Sequence, residues 1–351
     1  MDSQFLLGSY TDRPGLKHPG KGISLLSLDE DRGMVTELSC EDKVLNPSYL
    51  NYDRASGILL AGTENAGKEG TLSTFRIKED NSFRPISSIE GPGPSNCHVN
   101  RDPSRDLAFA TSYKGGSLKV YSMDGAEVVE NILYHFYEGK GPNEARQEQP
   151  HAHQAVISPN GRYLYVADLG SDTLWIHDLD ALTGPPRPVK TSSGLGPRHM
   201  VFHPVSGRLY VVCELIATLL VFDWNEVDGN LTLLQEVRTA DEQDIPTAQP
   251  SGIKIHPSGK TIALANRFTD TISVFDINEE TGLAEKRNTF PGRGVHCRDL
   301  EFSFSGKWLL LAHQESCDIQ LCAFDGKTGQ PTGDWGKAFV TGSPTCLVAL
   351  T

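Results

Sequence analysis

Four residues at well-separated positions, His153, Arg198, Glu214 and Arg267, are of types that transfer protons and bind anions. An imidazole or a carboxylate can act as a general base. Arginine guanidinium groups can stabilise negative charge on a carbonyl oxygen, and they also bind phosphate and carboxylate groups. We therefore predict that these four residues are the catalytic part of a site for a small anionic ligand. The alternative is that they form a solvated rim or structural ion pairs.

The four residues belong to a larger set of polar side chains at two recurring places. The first is at or near the start of one short apolar segment, and the second is at the end of the apolar segment that follows it. Turns alone do not require so many polar and ionisable groups. One place holds His98, His151, His153, Arg198, His199, His296 and Arg298, and the other holds Tyr10, Glu64, Tyr113, Asp168, Glu214, Asn266, Arg267 and Gln314. We predict substrate-binding roles for His98, His151, Asp168, His199, Arg298 and Gln314, with structural roles equally open for His151, His199 and His296. The other histidines are interpreted as structural: His18, His135, His177, His203, His256 and His313.

The two places recur because the sequence itself repeats. A short apolar segment, a turn and a second apolar segment follow one another in copies that begin near residues 47, 94, 151, 197, 250 and 296. The copies are mostly 47 residues apart, with two longer steps of 53 and 56 residues. A period of about 40–50 residues with several short strands in each repeat is typical of β-propellers.

Each copy contains the strands of one propeller blade. Turns such as SPNGR and HPSGK suit a tight hairpin, and the apolar runs that follow them, such as YLYVAD, suit a buried strand. The N-terminus provides the second to fourth strands of one blade, and SPTCLVAL from Ser343 resembles its missing inner strand. We predict an all-β fold: a seven-bladed β-propeller with four-stranded blades, closed by the C-terminal strand in the first blade. Residues 1–351 are predicted to form this single domain.

The propeller fold would bring the candidate residues together at one mouth of the central channel. Inner and second strands are antiparallel, so the start of one and the end of the other lie at the same end of a blade. Two long segments, 134–149 and 239–249, are predicted either to cover this mouth or to be surface insertions.

Composition narrows the function classes. The formal net charge is −13, whereas a nucleic-acid-binding protein usually carries a basic patch, so we expect no nucleic acid partner. The seven cysteines include no CxxC pair, which favours reduced, buried thiols in a cytoplasmic protein. The N-terminus resembles neither a signal peptide nor a membrane span, and we expect no membrane partner. We predict a monomer or weak homo-oligomer.

No cofactor is expected. The pair His151 and His153 lies on one side of a strand, but a zinc site needs further ligands, for which only Asp168 and Glu214 are candidates. The glycines lie in turn contexts rather than in a phosphate-binding loop before a helix. The sequence also lacks the patterns that surround a serine nucleophile.

Several short motifs carry a resemblance to a known family. They are GSYT at Gly8, CH at Cys97, HxH with ISPNGRYLYVADLG at His151, GPRHMVFHP at Gly196, CEL at Cys213, ANR at Ala265 and HQES at His313. In these motifs, from about Phe5 to the C-terminus, the chain resembles the lactonase family of seven-bladed propellers. That family includes cycloisomerase-type bacterial 6-phosphogluconolactonases and fungal carboxy-cis,cis-muconate lactonizing enzymes. GPRHxxFHP with a downstream Glu is the most specific of the motifs.

The resemblance implies lactone chemistry. His153, Arg198, Glu214 and Arg267 match polar residues of the family's channel, and the expected function is a 6-phosphogluconolactonase-like lactone hydrolase with Glu214 or His153 as the base. Its substrate would be a small anionic lactone or sugar acid. The alternatives are a carboxymuconate-type cycloisomerase and a non-catalytic interaction scaffold. The chain departs from the pattern at Cys213, where Asn is common, and at residues 297–299, which puts a contribution from the last blade in doubt.

Overall fold

Seven antiparallel sheets, here called blades 1 to 7, make up the part of the chain that the computed structural model describes, residues 2–65 and 69–350. In chain order the strands are β1 Asp2–Ser9, β2 Ile23–Asp29 and β3 Met34–Glu41 of blade 1; β4 Pro47–Asp53, β5 Ile58–Thr63, β6 Glu69–Ile77 and β7 Phe83–Pro94 of blade 2; β8 Asn96–Asp102, β9 Leu107–Ser112, β10 Ser117–Asp124 and β11 Glu127–Phe136 of blade 3; β12 Ala152–Ile157, β13 Tyr163–Asp168, β14 Thr173–Asp178 and β15 Arg187–Lys190 of blade 4; β16 Pro197–Phe202, β17 Arg208–Cys213, β18 Thr218–Trp224 and β19 Leu231–Arg238 of blade 5; β20 Gln249–Ile255, β21 Thr261–Arg267, β22 Thr271–Ile277 and β23 Ala284–Pro291 of blade 6; β24 Cys297–Phe302, β25 Trp308–His313, β26 Asp318–Phe324, β27 Pro331–Trp335 and β28 Phe339–Val340 of blade 7; and β29 Pro344–Ala349, which joins blade 1.

The first strand of each blade lies nearest the centre of the ring. These inner strands contact one another in the closed order β29, β4, β8, β12, β16, β20, β24 and back to β29. The second strand of each blade is covered on both sides; all six residues of β13, for example, are buried. The outer strands are more exposed, as β19 illustrates. The sequence-based prediction of a seven-bladed β-propeller is confirmed.

The hydrophobic core consists of seven apolar layers, one between each pair of neighbouring blades. Between blades 4 and 5, Tyr165 and Leu174 pack against Val211 and Leu220. Between blades 7 and 1, Leu310 packs against Leu26. Because every blade is held from both sides, the ring forms a rigid frame around its channel.

The C-terminal strand closes the ring as the sequence predicted. Strand β29 pairs antiparallel with β1, with Phe5 opposite Ala349 and Gly8 opposite Cys346. The seam is also tied to both neighbouring blades. The Thr345 hydroxyl donates to the Pro47 carbonyl at 2.7 Å, and the Leu347 amide donates to Asp299 Oδ2 at 3.0 Å.

Strands account for nearly all of the regular structure in the described part of the chain. Among residues 2–65 and 69–350 the helical structure is a single 3₁₀ turn, Leu179–Ala181. No helix in these ranges has the length and apolar character needed to cross a membrane. All seven cysteines are free thiols, and six of them are buried.

Candidate active site

The side chains of the candidate site are aimed by a β-bulge that recurs near the start of the inner strands. In blade 4 the pairing with β13 skips from Ala152 to Gln154 and leaves His153 outside the ladder. A bulge of this kind redirects the extra side chain. The residues skipped in the other single-residue bulges are Ser48, Cys97, Arg198, Arg298 and Thr345, and in blade 6 the skip covers Ser251 and Gly252.

The second set of side chains comes from one equivalent position at the end of each second strand. The backbone amide at this position bonds to the residue that precedes the inner strand, as Glu214 does to Gly196 at 2.8 Å. The residues at this position are Tyr10, Glu64, Tyr113, Leu169, Glu214, Arg267 and Gln314. Most of the charged residues predicted for the channel mouth therefore come from two structural positions that repeat around the ring.

These positions meet at a cavity of about 240 Å³ at the channel mouth, here called the first cavity. It is lined by Arg13, Glu64, Ser95, Cys97, Tyr113, Lys114, Arg146, His153, Arg198, Glu214, Arg267 and Arg298. Six of these residues are cationic and two are acidic, in a chain whose formal net charge is −13. The cavity is thus a positive site in an acidic protein, which suits an anionic ligand. All four residues predicted as catalytic line it.

Glu214 is the centre of a buried ionic network. Its Oε2 lies 2.9 Å from Arg198 Nε and 2.6 Å from an Arg267 guanidinium nitrogen, and its Oε1 pairs with Arg146. The side chain is only 4% exposed. Burial favours the neutral acid, but Arg267, Arg198 and Arg146 outweigh it and hold the pKa of Glu214 well below its usual range. Glu214 is therefore a carboxylate that positions three guanidinium groups.

Arg198 is also held in place by contacts on its guanidinium group. Besides the contact with Glu214, its guanidinium donates to the Ser251 carbonyl at 2.7 Å. Burial, followed by the nearby Arg267, lowers the pKa of Arg198 to about 9, so the group remains cationic at neutral pH. This arrangement fixes a positive charge on the wall of the first cavity.

His153 provides a neutral imidazole in the same cavity. Burial, and then the positive charge of Arg198, holds its pKa well below 6.5. Its Nδ1 is buried and makes no hydrogen bond to any described residue. Cys97, at the equivalent bulge of blade 3, has its pKa raised to about 12 by burial and is therefore not a thiolate nucleophile at neutral pH.

Arg146 was missed by the sequence analysis. It comes from the segment predicted as a cover or an insertion, and its guanidinium also donates to Tyr113 Oη at 3.1 Å. Gln147 anchors this segment: it is fully buried and its amide donates to the Leu169 carbonyl at 2.9 Å. The part of the segment after β11 thus reaches the channel mouth and contributes to its lining. The segment 239–249 packs its alanines against Ala217 instead.

A second cavity, of about 380 Å³, adjoins the first. It is lined by Arg13, Pro14, Gly15, Leu16, Lys17, Arg267, His296, Arg298, Gln314, Glu315, Cys317 and Ser343. Arg298 and Gln314, both predicted to bind substrate, contact each other here at 3.0 Å. The two cavities share Arg13, Arg267 and Arg298. The blade 7 contribution that the departure at 297–299 put in doubt is present in the structure as Arg298.

The other predicted substrate-binding residues do not line either cavity. Asp168 lies one residue before the position of Glu214, and its oxygens accept bonds from the His151 amide, Ser171 and Trp175. The His151 ring stacks on Tyr113, with Nδ1 2.8 Å from the Tyr113 carbonyl oxygen.

The two remaining predicted histidines pack together beside the first cavity. The His98 ring lies 4.2 Å from the Tyr49 ring, and the His199 ring lies 5.1 Å from His153. A role for them in substrate binding stays a prediction. No group of three or more His, Cys, Asp and Glu within the described ranges is arranged to hold a metal ion.

The fold and site together define a seven-bladed β-propeller with a small, cationic site at one mouth of its channel. The family model described as lactonase, 7-bladed beta-propeller matches residues 4–349, and the chain belongs to this family.

Known relatives cover nearly the whole chain. The chain is 28% identical to a 6-phosphogluconolactonase of Bacillus subtilis, over 93% of this chain and 92% of the relative. It is also 28% identical to a 6-phosphogluconolactonase of Formosa agariphila, over 92% and 93% of the two chains. The structure of a periplasmic gluconolactonase of Pseudomonas aeruginosa shares the fold, with a TM-score of 0.92, 23% identity and coverage of 100% and 99%. Family and relatives support lactone hydrolysis as the class of chemistry.

Proposed function

We propose that this protein hydrolyses a phosphorylated sugar lactone, as a 6-phosphogluconolactonase does. The observation that carries the proposal is the first cavity, where His153, Arg198 and Glu214 meet in a net positive environment. Hydrolysis of a lactone turns a neutral carbonyl into an oxyanion and then into a carboxylate, so fixed positive charge favours both the transition state and the product. The named activities of the two bacterial relatives point to the same chemistry.

In the proposed mechanism His153 is the proton acceptor. Both oxygens of Glu214 are paired with guanidinium groups, whereas Nδ1 of His153 has no hydrogen-bond partner among the described residues. A neutral imidazole can take a proton from water as the water oxygen bonds to the lactone carbonyl carbon. The ring C–O bond then breaks, and the imidazolium returns the proton to the departing ring oxygen. The low pKa of His153 makes its protonated form a strong acid for this last step.

The arginines stabilise the charge that develops. Arg198 is held by Glu214 and Ser251, so it needs little reorganisation when the carbonyl oxygen becomes negative. Arg146 and Arg267 add positive charge around the same carboxylate. Glu214 is thus a positioning residue in this proposal: it holds three cations close together that repel one another.

The test measures hydrolysis of 6-phosphoglucono-δ-lactone above its spontaneous rate by the wild type and two variants. His153→Asn is expected to lower kcat by roughly 100-fold, the usual scale of one acid–base group. The control is Arg162→Gln, an exposed arginine in the turn between β12 and β13, at the end of the blade away from the site. It should retain the wild-type rate.

Two results would contradict the proposal. A wild-type rate equal to the background would remove lactone hydrolysis of this substrate, and carboxymuconate cyclisation would be assayed next; a protein inert in both assays would favour a binding scaffold. A His153→Asn variant that keeps the wild-type rate would remove His153 as the proton acceptor while leaving the hydrolysis itself in place.

A further inference from the structure

We propose that the second cavity is a phosphate subsite, separate from the cavity in which the lactone ring opens; this rests on the proposed function. The subsite consists of Arg13, Lys17 and Arg298, with His296 and Gln314 as uncharged donors. It adjoins the first cavity through shared arginines. In a 6-phosphorylated lactone the phosphate is outside the ring, so the carbonyl and the phosphate can occupy neighbouring cavities.

The charge balance of the second cavity calls for an anion. Within the described ranges, neither Lys17 nor Arg298 forms an ion pair, and Arg13 reaches a carboxylate, that of Glu64, only at 3.9 Å. Arg298 is partly buried, and the carboxylate that acts on it, Glu64, also faces Arg13, so one negative charge is shared between two cations. The one acidic side chain that lines this cavity is Glu315, and it accepts a bond from Gln314 at 3.3 Å. A bound phosphate would balance the excess positive charge.

Two of the cations are organised by a single aromatic ring. The guanidinium carbons of Arg13 and Arg298 lie 4.7 Å and 5.3 Å from the centre of the Tyr10 ring. Tyr10 is fully buried, and its hydroxyl donates to Glu64 at 2.7 Å, so the ring is fixed. Such cation–π contacts orient a guanidinium without neutralising its charge. Both arginines therefore keep their charge available for an anion at the mouth.

His296 adds an uncharged donor in an unusual backbone conformation. Its φ is 62°, in the left-handed region that a non-glycine residue rarely adopts. The conformation is held by a bond from its amide to Asp270 Oδ1 at 2.6 Å. Burial, then Arg267 and Arg298, lowers the pKa of His296 to about 3, so its ring stays neutral and can donate one N–H. The strained residue lines the cavity and brings its ring beside the cations.

The number and arrangement of these donors favour phosphate over a neutral sugar end. An unphosphorylated lactone has no charge to match Arg13, Lys17 and Arg298. A phosphate has several strong acceptor oxygens and about two negative charges at neutral pH, and charge-assisted bonds to it are strong. We therefore infer that the protein discriminates between phosphorylated and unphosphorylated lactones through this subsite.

The test uses the double variant Arg13→Gln/Lys17→Gln, because both side chains come from the loop between β1 and β2 and carry no core packing. Steady-state kinetics are measured with 6-phosphoglucono-δ-lactone and with glucono-δ-lactone. The KM for the phosphorylated lactone is expected to rise ~10-fold or more, and the ratio of its kcat/KM to that of the unphosphorylated lactone is expected to fall by ~10-fold. The matched control, Lys21→Gln, alters an exposed lysine of the same loop that lines neither cavity and should behave like the wild type.

Two outcomes separate this proposal from the proposed function. Equal losses for both lactones, or a wild type with no preference for the phosphorylated one, would overturn the subsite while leaving lactone hydrolysis intact. If the wild type hydrolyses neither lactone, isothermal titration calorimetry measures the binding of 6-phosphogluconate to the wild type and to the double variant. Binding that the double variant weakens ~10-fold, and that inorganic phosphate displaces, supports the subsite although the proposed function fails. Binding that the double variant leaves unchanged, or no binding, overturns the subsite as well.

Discussion

Replacing Glu214 by Gln tests the buried network most directly. The change removes the negative charge between Arg198 and Arg267 and keeps the shape of the side chain. Because Arg198 has almost no contact with water, it loses the partner that compensates its burial. Breaking a buried ion pair by removing one partner costs about 3–5 kcal/mol. With an unfolding entropy of about 2.1 cal/mol/K per residue, a chain of 351 residues would melt ~4–7 °C lower.

The loss of stability caused by Glu214→Gln should become smaller as the pH falls. The pKa of Glu214 is lower in the folded protein than its ordinary value of 4.5. A group with a lowered folded pKa contributes stability above its unfolded pKa and loses that contribution as the pH falls further. The difference in Tm between wild type and Glu214→Gln should therefore be full above about pH 5 and shrink below pH 4.5.

Thermal melts and kinetics on the same samples check this reasoning. The variant is expected to lose ~100-fold in kcat, because its three arginines are no longer held together. Added inorganic phosphate should raise its Tm more than that of the wild type, since an external anion can replace the lost carboxylate. Glu279→Gln, which removes an exposed carboxylate paired with Lys260, is the chemically matched control. A Glu214→Gln variant with wild-type Tm and wild-type rate would refute the role assigned to the network.

Three further predictions address other parts of the site and fold. Arg146→Gln should lower kcat/KM roughly 10-fold in steady-state assays, because it removes one cation from Glu214; an unchanged value would make the contact incidental. After subtraction of spontaneous hydrolysis, kcat/KM should stay flat from about pH 5.5 to 7.5, because burial and Arg198 keep His153 neutral in this range; a limb near pH 6.5 would argue against this. Deletion of residues 344–351 removes β29 and should abolish a cooperative thermal transition followed by circular dichroism; a sharp melt near the wild-type Tm would contradict ring closure by this strand.

Most of the fold could be predicted from the sequence because the blade repeat has a nearly regular period. Turn motifs and buried second strands recur at nearly constant spacing, and the segment from Ser343 lacked any place except in the first blade. The outer edge of blade 7 could not be predicted from the sequence. There the fourth strand is divided into β27 and the two-residue β28, with Gly333 and Gly336 nearby. Exposed outer strands carry little hydrophobic pattern, so the sequence contains a weak signal for such interruptions.

The site was predictable where it depends on the blade repeat. His153, Arg198 and Arg298 share one bulge position, and Glu214 and Arg267 share one second-strand position. Asp168 is offset by one residue from that second-strand position, and successive side chains of a strand point to opposite faces. The structure places Leu169, not Asp168, at the position equivalent to Glu214. A stricter alignment of the blades could have shown this one-residue offset.

Residues supplied by loops could not be predicted from the blade repeat. Arg146 reaches Glu214 because Gln147 anchors its segment to the Leu169 carbonyl, and neither contact follows from a repeat. Arg13 and Lys17 come from the loop between β1 and β2, where Asn46, just before β4, accepts bonds from the Thr11 and Asp12 amides. A repeat predicts what every blade shares, whereas the residues that distinguish one propeller site from another come from the connections between strands.

The acidic residues at the mouth explain how so many cations can gather there. Arg198 and Arg267 repel each other, and burial disfavours the charge of Arg198, yet Glu214 forms an ion pair with each. In the same way Glu64 holds Tyr10, on which Arg13 and Arg298 pack. Each carboxylate organises a group of arginines and neutralises only part of their charge. In the proposed function the remaining positive charge acts on an anionic ligand, so we expect the two acids to serve its binding by positioning the cations rather than by contacting it.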